Sequence, residues 1–386
     1  MMNRPMASIS AFSTTEGTEE LYLTLFSNPA ADPANALEQL CDSFEAAKKE
    51  HDLTDDALCF SRFFFSDIAN QHEVFRRSRL CNRLQSGALS LVEQRPCTTG
   101  QFALLCYFVS NKHIIPSQTL LFKKCENRLS IQGTGYSLFF AAGLSANHPF
   151  DAGAQTAGVF QEYGKILQEQ NQTLLENTLR TWIFVRDIDN HYKGMTEARK
   201  LFFIEQNLTE KTRYLASTGI EAKLEDSRKL VSLDALSIGN IQPEQIIRME
   251  ALGNLCPAHS YGVTFERGTR VQFGDRAHLY ISGTASIDHQ GEVLHPGDVV
   301  KQTKRTLDNI EALLKPNGAT LEDMMYFILY IRNWKEAPAV IRLFHERVSP
   351  RKPFILVEAS VCRASWLVEI EGMAVIPSKA PYPPFL

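Results

Sequence analysis

Residues 298–318 read DVVKQTKRTLDNIEALLKPNG. Val299, Thr303, Thr306, Leu307, Ile310 and Leu314 recur at steps of three and four, which lays one stripe along a helix. Asn317-Gly318 then ends it. The helix lies between AHLYISGTAS (277–286) and LEDMMYFILYIRN (321–333), two runs with the Tyr, Ile and Phe content of strands. A strand–helix–strand unit joins its strands in parallel. A second helix follows, APAVIRLFHERV (337–348), and then KPFILVEAS and WLVEIEGMAVI, which are expected to pair as a hairpin.

The same order occurs twice earlier. ELYLTLF (20–26), ANALEQLCDSFEAAKKE (34–50), ALCFSRFFFSD (57–67) and a helical stretch after Glu73 make one unit. YSLFFAAGL (136–144), GAQTAGVFQEYGKILQEQ (153–170), LENTLRTWIFVRDI (175–188) and a helix near 195–206 make another. The expected architecture is α+β, with three tandem units over 1–130, 131–250 and 251–386, each laying helices on one face of a mixed sheet. The tail PSKAPYPPFL holds too much proline for a core strand.

With 386 residues, 44% hydrophobic and 22% charged, the composition is that of a soluble globular protein. A net charge of −4 lacks the basic excess of a nucleic-acid binder. The first residues hold no apolar core of a secretory signal, and no run reaches the ~20 apolar residues of a membrane span. Eight scattered cysteines without Cys-x-x-Cys argue against a zinc finger or a stapled secreted domain. A cytoplasmic location is therefore expected. His289 and His295 have no third ligand at a metal-site spacing, so no metal is expected.

In SVCRASWLVEIEGMAVI (360–376), Glu369 and Glu371 share one strand face among apolar residues. Two readings follow: a solvated carboxylate row, or a carboxyl in a cleft whose pKa is raised by burial and by its neighbour, poised as a general acid. Cys362, seven residues earlier, is a small buried hydrophobe or a site residue. Units one and two carry Asp67 and Asp187 at the strand end where unit three carries Arg332.

The third unit, with GDVVKQTKRTLDNIEALL and LVEIEGMAVI, resembles the YjgF/RidA family, whose α+β subunits form trimers with sites in the clefts between neighbours. Three units on one chain imply an intrachain pseudo-trimer, and so a monomer or weak oligomer. RTWIFVRDI, STGI (217–220), YGVTFERGT (261–269), YISGTASI (280–287), HPGDVVKQT (295–303), YIR (330–332) and CRASWLVEIEGM (362–373) resemble chorismatases, which split chorismate into pyruvate and a cyclic acid. The likeness covers about 136–376. It implies Glu369 as the general acid, and carboxylate recognition by Arg267, Arg332 and Tyr261. Thr218 and Gly219 would line the cleft from unit two. Cys362 and Gly283 resemble the 3-hydroxybenzoate-forming group. The small-molecule substrate would be a chorismate-like dianion, and no cofactor is implied because acid catalysis and positioning suffice. Two alternatives are a RidA-like imine/enamine deaminase and a non-catalytic binder. The first expects an arginine before the penultimate strand, where this chain has Phe354, with Arg351 three residues early.

Overall fold

The computed structural model describes residues 7–14, 17–29, 32–98, 100–110, 120–147, 150–258 and 262–386. In the first third, β1 (Ala7–Phe12), β2 (Glu19–Phe26), α1 (Pro33–Glu50), β3 (Leu58–Phe65), α2 (Ile68–Arg76), α3 (Arg79–Leu84), β4 (Ala88–Glu93), the two-residue β5 (Arg95–Pro96) and β6 (Phe102–Ser110) follow in turn. The sheet order is β1-β2-β6-β3-β4. The second third runs β7 (Leu121–Cys125), β8 (Arg128–Gln132), β9 (Ser137–Leu144), α4 (Ala152–Glu169), α5 (Leu174–Asn177), β10 (Thr178–Val185), α6 (Ile188–Glu205), β11 (Ala216–Glu221) and β12 (Val231–Gly239). Its order is β11-β10-β12-β9-β8-β7. The last third has β13 (Ile246–Arg248), β14 (Gly268–Gln272), β15 (Arg276–Ala285), α7 (Val299–Leu314), β16 (Met324–Ile331), α8 (Ala337–Arg347), β17 (Phe354–Glu358) and β18 (Val368–Pro377). Its order is β13-β14-β15-β18-β16-β17-β5.

One topology thus appears three times: β1-β2-β6-β3-β4, β8-β9-β12-β10-β11 and β14-β15-β18-β16-β17. In each, the parallel pair is the one joined by a helical crossover. The long helix of each unit starts at an aspartate cap, Asp32, Asp151 or Asp298, whose carboxylate accepts from a backbone N–H of the first turn. The stripe read from the sequence of α7 is buried along its length.

The first unit is a full copy, and its helices cover one face of its sheet. The other faces of all three sheets meet in a shared core that includes Phe64, Tyr107, Phe140, Trp182, Tyr326 and Met373. The chain therefore folds as a trimer of units made from one polypeptide. Ion pairs cross each junction inside: Arg62–Asp234 at 2.9 Å, Arg180–Glu371 at 2.6 Å and Arg276–Glu20 at 2.7 Å. Burial would raise the Glu20 carboxyl, yet His278 and Arg276 beside it hold it down at about 2.

Two expectations need correction. The divisions at 130 and 250 fall late, because β7 and β8 already belong to the second sheet and β13 to the third. The last two strands do not form a hairpin. β18 is buried on both faces and takes the central place between β15 and β16, while β17 joins β16 in parallel. The tail is no strand, but Phe385 is buried against Phe273 and His278.

Removing one partner of a buried pair strands the other charge. Among the described residues, Arg62→Ala leaves Asp234 with the Gly143 N–H at 2.8 Å as its one hydrogen-bond donor. It is expected to cost about 3–5 kcal/mol in denaturant unfolding; a loss under about 1 kcal/mol would show that the junction charges are not what joins the units.

Candidate functional site

Strand alternation turns Glu369 and Glu371 to the same side of β18, and that side faces the junction of units, not water. The solvated-row reading fails on burial: Glu369 is 4% exposed and Glu371 fully buried. Their surroundings differ. Glu371 accepts hydrogen bonds from Arg180 Nη2 (2.6 Å), Trp182 Nε1 (2.9 Å), Tyr330 Oη (3.1 Å) and the Thr218 hydroxyl. Arg62 adds a cation at 3.7 Å. Among the described residues, no hydrogen bond reaches Glu369. Burial and then the charge of Glu371 push its carboxyl up to about 8, against the pull of Arg180 and Arg267. Near neutral pH this side chain holds a proton.

Glu369 lines a cavity between units two and three. β11 and α6 supply Thr218, Gly219, Tyr192 and Arg199 on one side. The third unit supplies Phe265, Arg267, Gly283, Cys362 and Trp366 on the other. A Cβ on Gly283 would displace the Glu369 carboxyl and lie 3.1 Å from Thr218 Cγ2. The Gly283 N–H donates to Thr218 Oγ1 at 2.9 Å, which pins the two units together at the cavity floor. A Cβ on Gly219 would meet the Met195 methyl at 3.3 Å. Arg267 donates from Nε to the Cys256 carbonyl at 3.0 Å and lies over the Phe265 ring. Burial, with the Glu369 carboxylate second, pushes the Cys362 thiol up to about 12, so it is a neutral thiol and not a nucleophile.

Six residues anticipated from sequence therefore meet in one cavity: Thr218, Gly219, Arg267, Gly283, Cys362 and Glu369. Arg332 does not join them. Its guanidinium grips Asp189 at 2.7 and 3.0 Å and donates to the carbonyls of Trp366 and Val361. The strand-end comparison was also one residue out. The pairings Phe65↔Phe102, Val185↔Val231 and Ile331↔Val368 place Asn333, not Arg332, opposite Asp67 and Asp187, and all three start a helix. Tyr261 lies outside the described residues. Among the described residues no group of His, Cys, Asp and Glu is arranged to hold a metal, and no helix is long and apolar enough to cross a membrane.

Sequence reasoning missed Arg180, Arg199, Tyr192 and Trp366. Arg199 is buried and donates from Nε to Thr264 Oγ1 at 3.2 Å, bringing a second cation to the cavity wall. Among the described residues, the buried Trp366 Nε1–H has no hydrogen-bond partner.

Comparison with known proteins agrees with this layout. Residues 271–376, the third unit, match the family model described as Endoribonuclease L-PSP. A crystal structure of a chorismatase superposes on 83% of this chain and 93% of its own, with a TM-score of 0.63 and 18% identity, so the three-unit fold is that of a chorismatase. A 3-hydroxybenzoate synthase of Streptomyces hygroscopicus is 27% identical over 226 residues, 52% of this chain. The match spans 64% of that relative, less than two thirds of its length. A 3-aminoacrylate deaminase, RutC of Acinetobacter baylyi, is 28% identical over 97 residues, 25% of this chain and 77% of its own.

Because Glu369 binds its proton more tightly folded, near 8, than at its ordinary 4.5, its share of stability is full below pH 4.5 and is lost as pH rises through 8. Glu369→Gln cannot ionise. It is expected to melt above the wild type at pH 9, with the gap shrinking toward pH 4.5; parallel melting curves across that range would show a carboxyl titrating in its ordinary range.

Proposed function

We propose that the protein cleaves chorismate to pyruvate and a benzoate-type acid, with Glu369 as the general acid. The observation that carries this reading is a buried carboxyl, pushed toward its protonated form by burial and by Glu371 and reached by no hydrogen bond among the described residues, on the floor of a cavity whose walls bring in two arginines. Chorismate is a dianion with an enol ether. Arg267 and Arg199 supply one guanidinium for each carboxylate. Arg199 takes the place first given to Arg332. Glu369 delivers its proton to the vinyl methylene and the ether carbon becomes an oxocarbenium ion. The C–O bond to the ring then breaks, its electrons completing the pyruvate carbonyl, while the neighbouring ring hydroxyl closes on the vacated carbon as an epoxide and returns its proton to Glu369. The epoxide opens at its other carbon, and the ring hydrogen beside the retained oxygen leaves as a proton that ends on that oxygen, giving the 3-hydroxy acid. Glu371, tied to five donors and cations, stays in place as the charge that keeps Glu369 protonated.

The proposed second product is 3-hydroxybenzoate. Pyruvate and 3-hydroxybenzoate together contain the atoms of chorismate, so this route takes up no water. The hydrolytic route to a dihydroxy-diene acid consumes one. Phe265, Ala285, Ile287 and Trp366 make much of the wall apolar, and Cys362 brings a neutral thiol. A dry wall suits the first route. A deaminase reading is served less well: Arg351 stands on an exposed turn, and the position before the penultimate strand holds the buried Phe354.

Incubation with chorismate and chromatography of the products tests the proposal. Pyruvate should appear in a one-to-one ratio with 3-hydroxybenzoate. Glu369→Gln should slow turnover about 10²–10⁴-fold with binding retained, and wild-type activity should fall above about pH 8 as the acid loses its proton. Arg267→Ala should weaken chorismate binding by about 1.5–3 kcal/mol. Cys362→Ala should move the product toward the dihydroxy-diene acid. Intact chorismate after incubation, with imino acids hydrolysed instead, would transfer the site to the deaminase class.

A further inference from the structure

The two walls of the cavity come from different units, and one side chain outside it touches the supports of both. Arg332 follows directly on β16. Its Nη1 and Nη2 hold Asp189 of unit two at 3.0 and 2.7 Å, and its Nε donates to the Trp366 carbonyl at 3.2 Å. Nη2 also donates to the Val361 carbonyl. Val361 and Trp366 bracket the loop that carries Cys362 and leads into Glu369. Asp189 stands in the first turn of α6, the helix that carries Tyr192 and Arg199 to the other wall. Neither Arg332 nor Asp189 belongs to the cavity lining.

We propose that Arg332 and Asp189 form a clamp between units that sets the width of the cavity and keeps water from Glu369 and Cys362. Arg332 is thus a positioning residue, and its substrate is reached only through the groups it places. The planar guanidinium suits this task, since it meets a carboxylate in a bidentate pair and still donates to two carbonyls; a lysine ammonium has no such fork. Gln302 holds the same loop from α7, donating to the Ser365 carbonyl at 2.9 Å and accepting from the Leu367 N–H at 2.8 Å. Gln302, however, binds within unit three. The loop's start also meets β11, where the Glu221 N–H donates to the Ser360 carbonyl at 3.2 Å and the Ser360 N–H donates to the Glu221 carboxylate at 3.2 Å, whereas the Arg332–Asp189 pair ties the loop to α6. The inference rests on the reading of the cavity as a chorismate site, but its geometry does not.

Two readouts test it on Arg332→Ala, Asp189→Ala, the double variant and Arg332→Lys. The first needs no substrate. Alkylation of Cys362, followed by peptide mass spectrometry, should quicken about 10-fold or more in both alanine variants, because an opened loop hydrates the thiol. Cys125, exposed on β7, should react at an unchanged rate and so report intact folding. The second is kinetic. kcat/KM for chorismate should fall about 10–100-fold, the scale of a misplaced site. The double variant should be no worse than Arg332→Ala alone, and Arg332→Lys should recover only part of the loss. The alkaline limb of the pH–rate profile should also move to lower pH as water reaches Glu369, while Glu371 on its own strand, Arg180 on β10, Arg267 before β14 and Cys362 on the loop are all retained. Unchanged Cys362 reactivity, or additive losses with an unmoved limb, would overturn the clamp. Because the thiol readout needs no turnover, it judges the clamp even if the wild type leaves chorismate intact, an outcome that defeats the functional reading instead.

Discussion

The structure depends on one buried charge. Taking a carboxylate out of water costs several kcal/mol, and only well-placed donors offset it. Glu371 finds those donors in all three units: Arg62 in the first, Arg180, Trp182 and Thr218 in the second, Tyr330 in the third. No single unit can satisfy it. The same contacts put Thr218 against Gly283 and so define where two units meet. Glu369, two residues away, receives the repulsion of Glu371 without its donors. The acidity proposed for the site is therefore a by-product of how the axis is neutralised.

Three copies of one topology offer three junctions, yet they are filled differently. Between units one and two, Asn127 accepts from the Leu89 N–H and donates to the Leu89 and Ala142 carbonyls, sewing β4 to β9. Beside unit three, β5 adds itself to the edge of β17. The residues in register with Glu369 are Ala103 and Ser232, paired to Phe64 and Phe184 as Glu369 is to Tyr330. An acid stands at only one of these three positions.

Much of this was legible in the sequence. Helical periodicity, the repeated order of elements and aromatic strands sufficed for three α+β units, because local physics dictates them. The cavity residues Thr218, Gly219, Arg267, Gly283, Cys362 and Glu369 were reached through family likeness. Spacing alone left Glu369 between two readings, since alternation tells which residues share a face but not what the face meets. The argument that singled out a charge in an apolar strand applies equally to Arg62 in LCFSRFFF and Arg180 in TLRTWIFV. Applied there, it would have found the partners of Asp234 and Glu371. Arg199 and Tyr192 gave no such signal, because a polar residue on a helix is ordinary until the neighbouring unit covers it. Arg332 misled because it stands one residue before the position equivalent to Asp67 and Asp187, which the shared register gives to Asn333.

Counted from the bulge common to all three sheets, Arg62, Trp182 and Ile328 occupy the same place, opposite Leu105, Asp234 and Glu371. Three identical subunits could never adopt that set: each position would repeat threefold, and a carboxylate there would meet two copies of itself. Joining the units end to end frees every position to change alone. A substitution is then tried once per molecule and not three times, so a mutation ruinous in two junctions can be kept in the third. The covalent link acts less as a mechanical tie than as permission for asymmetry.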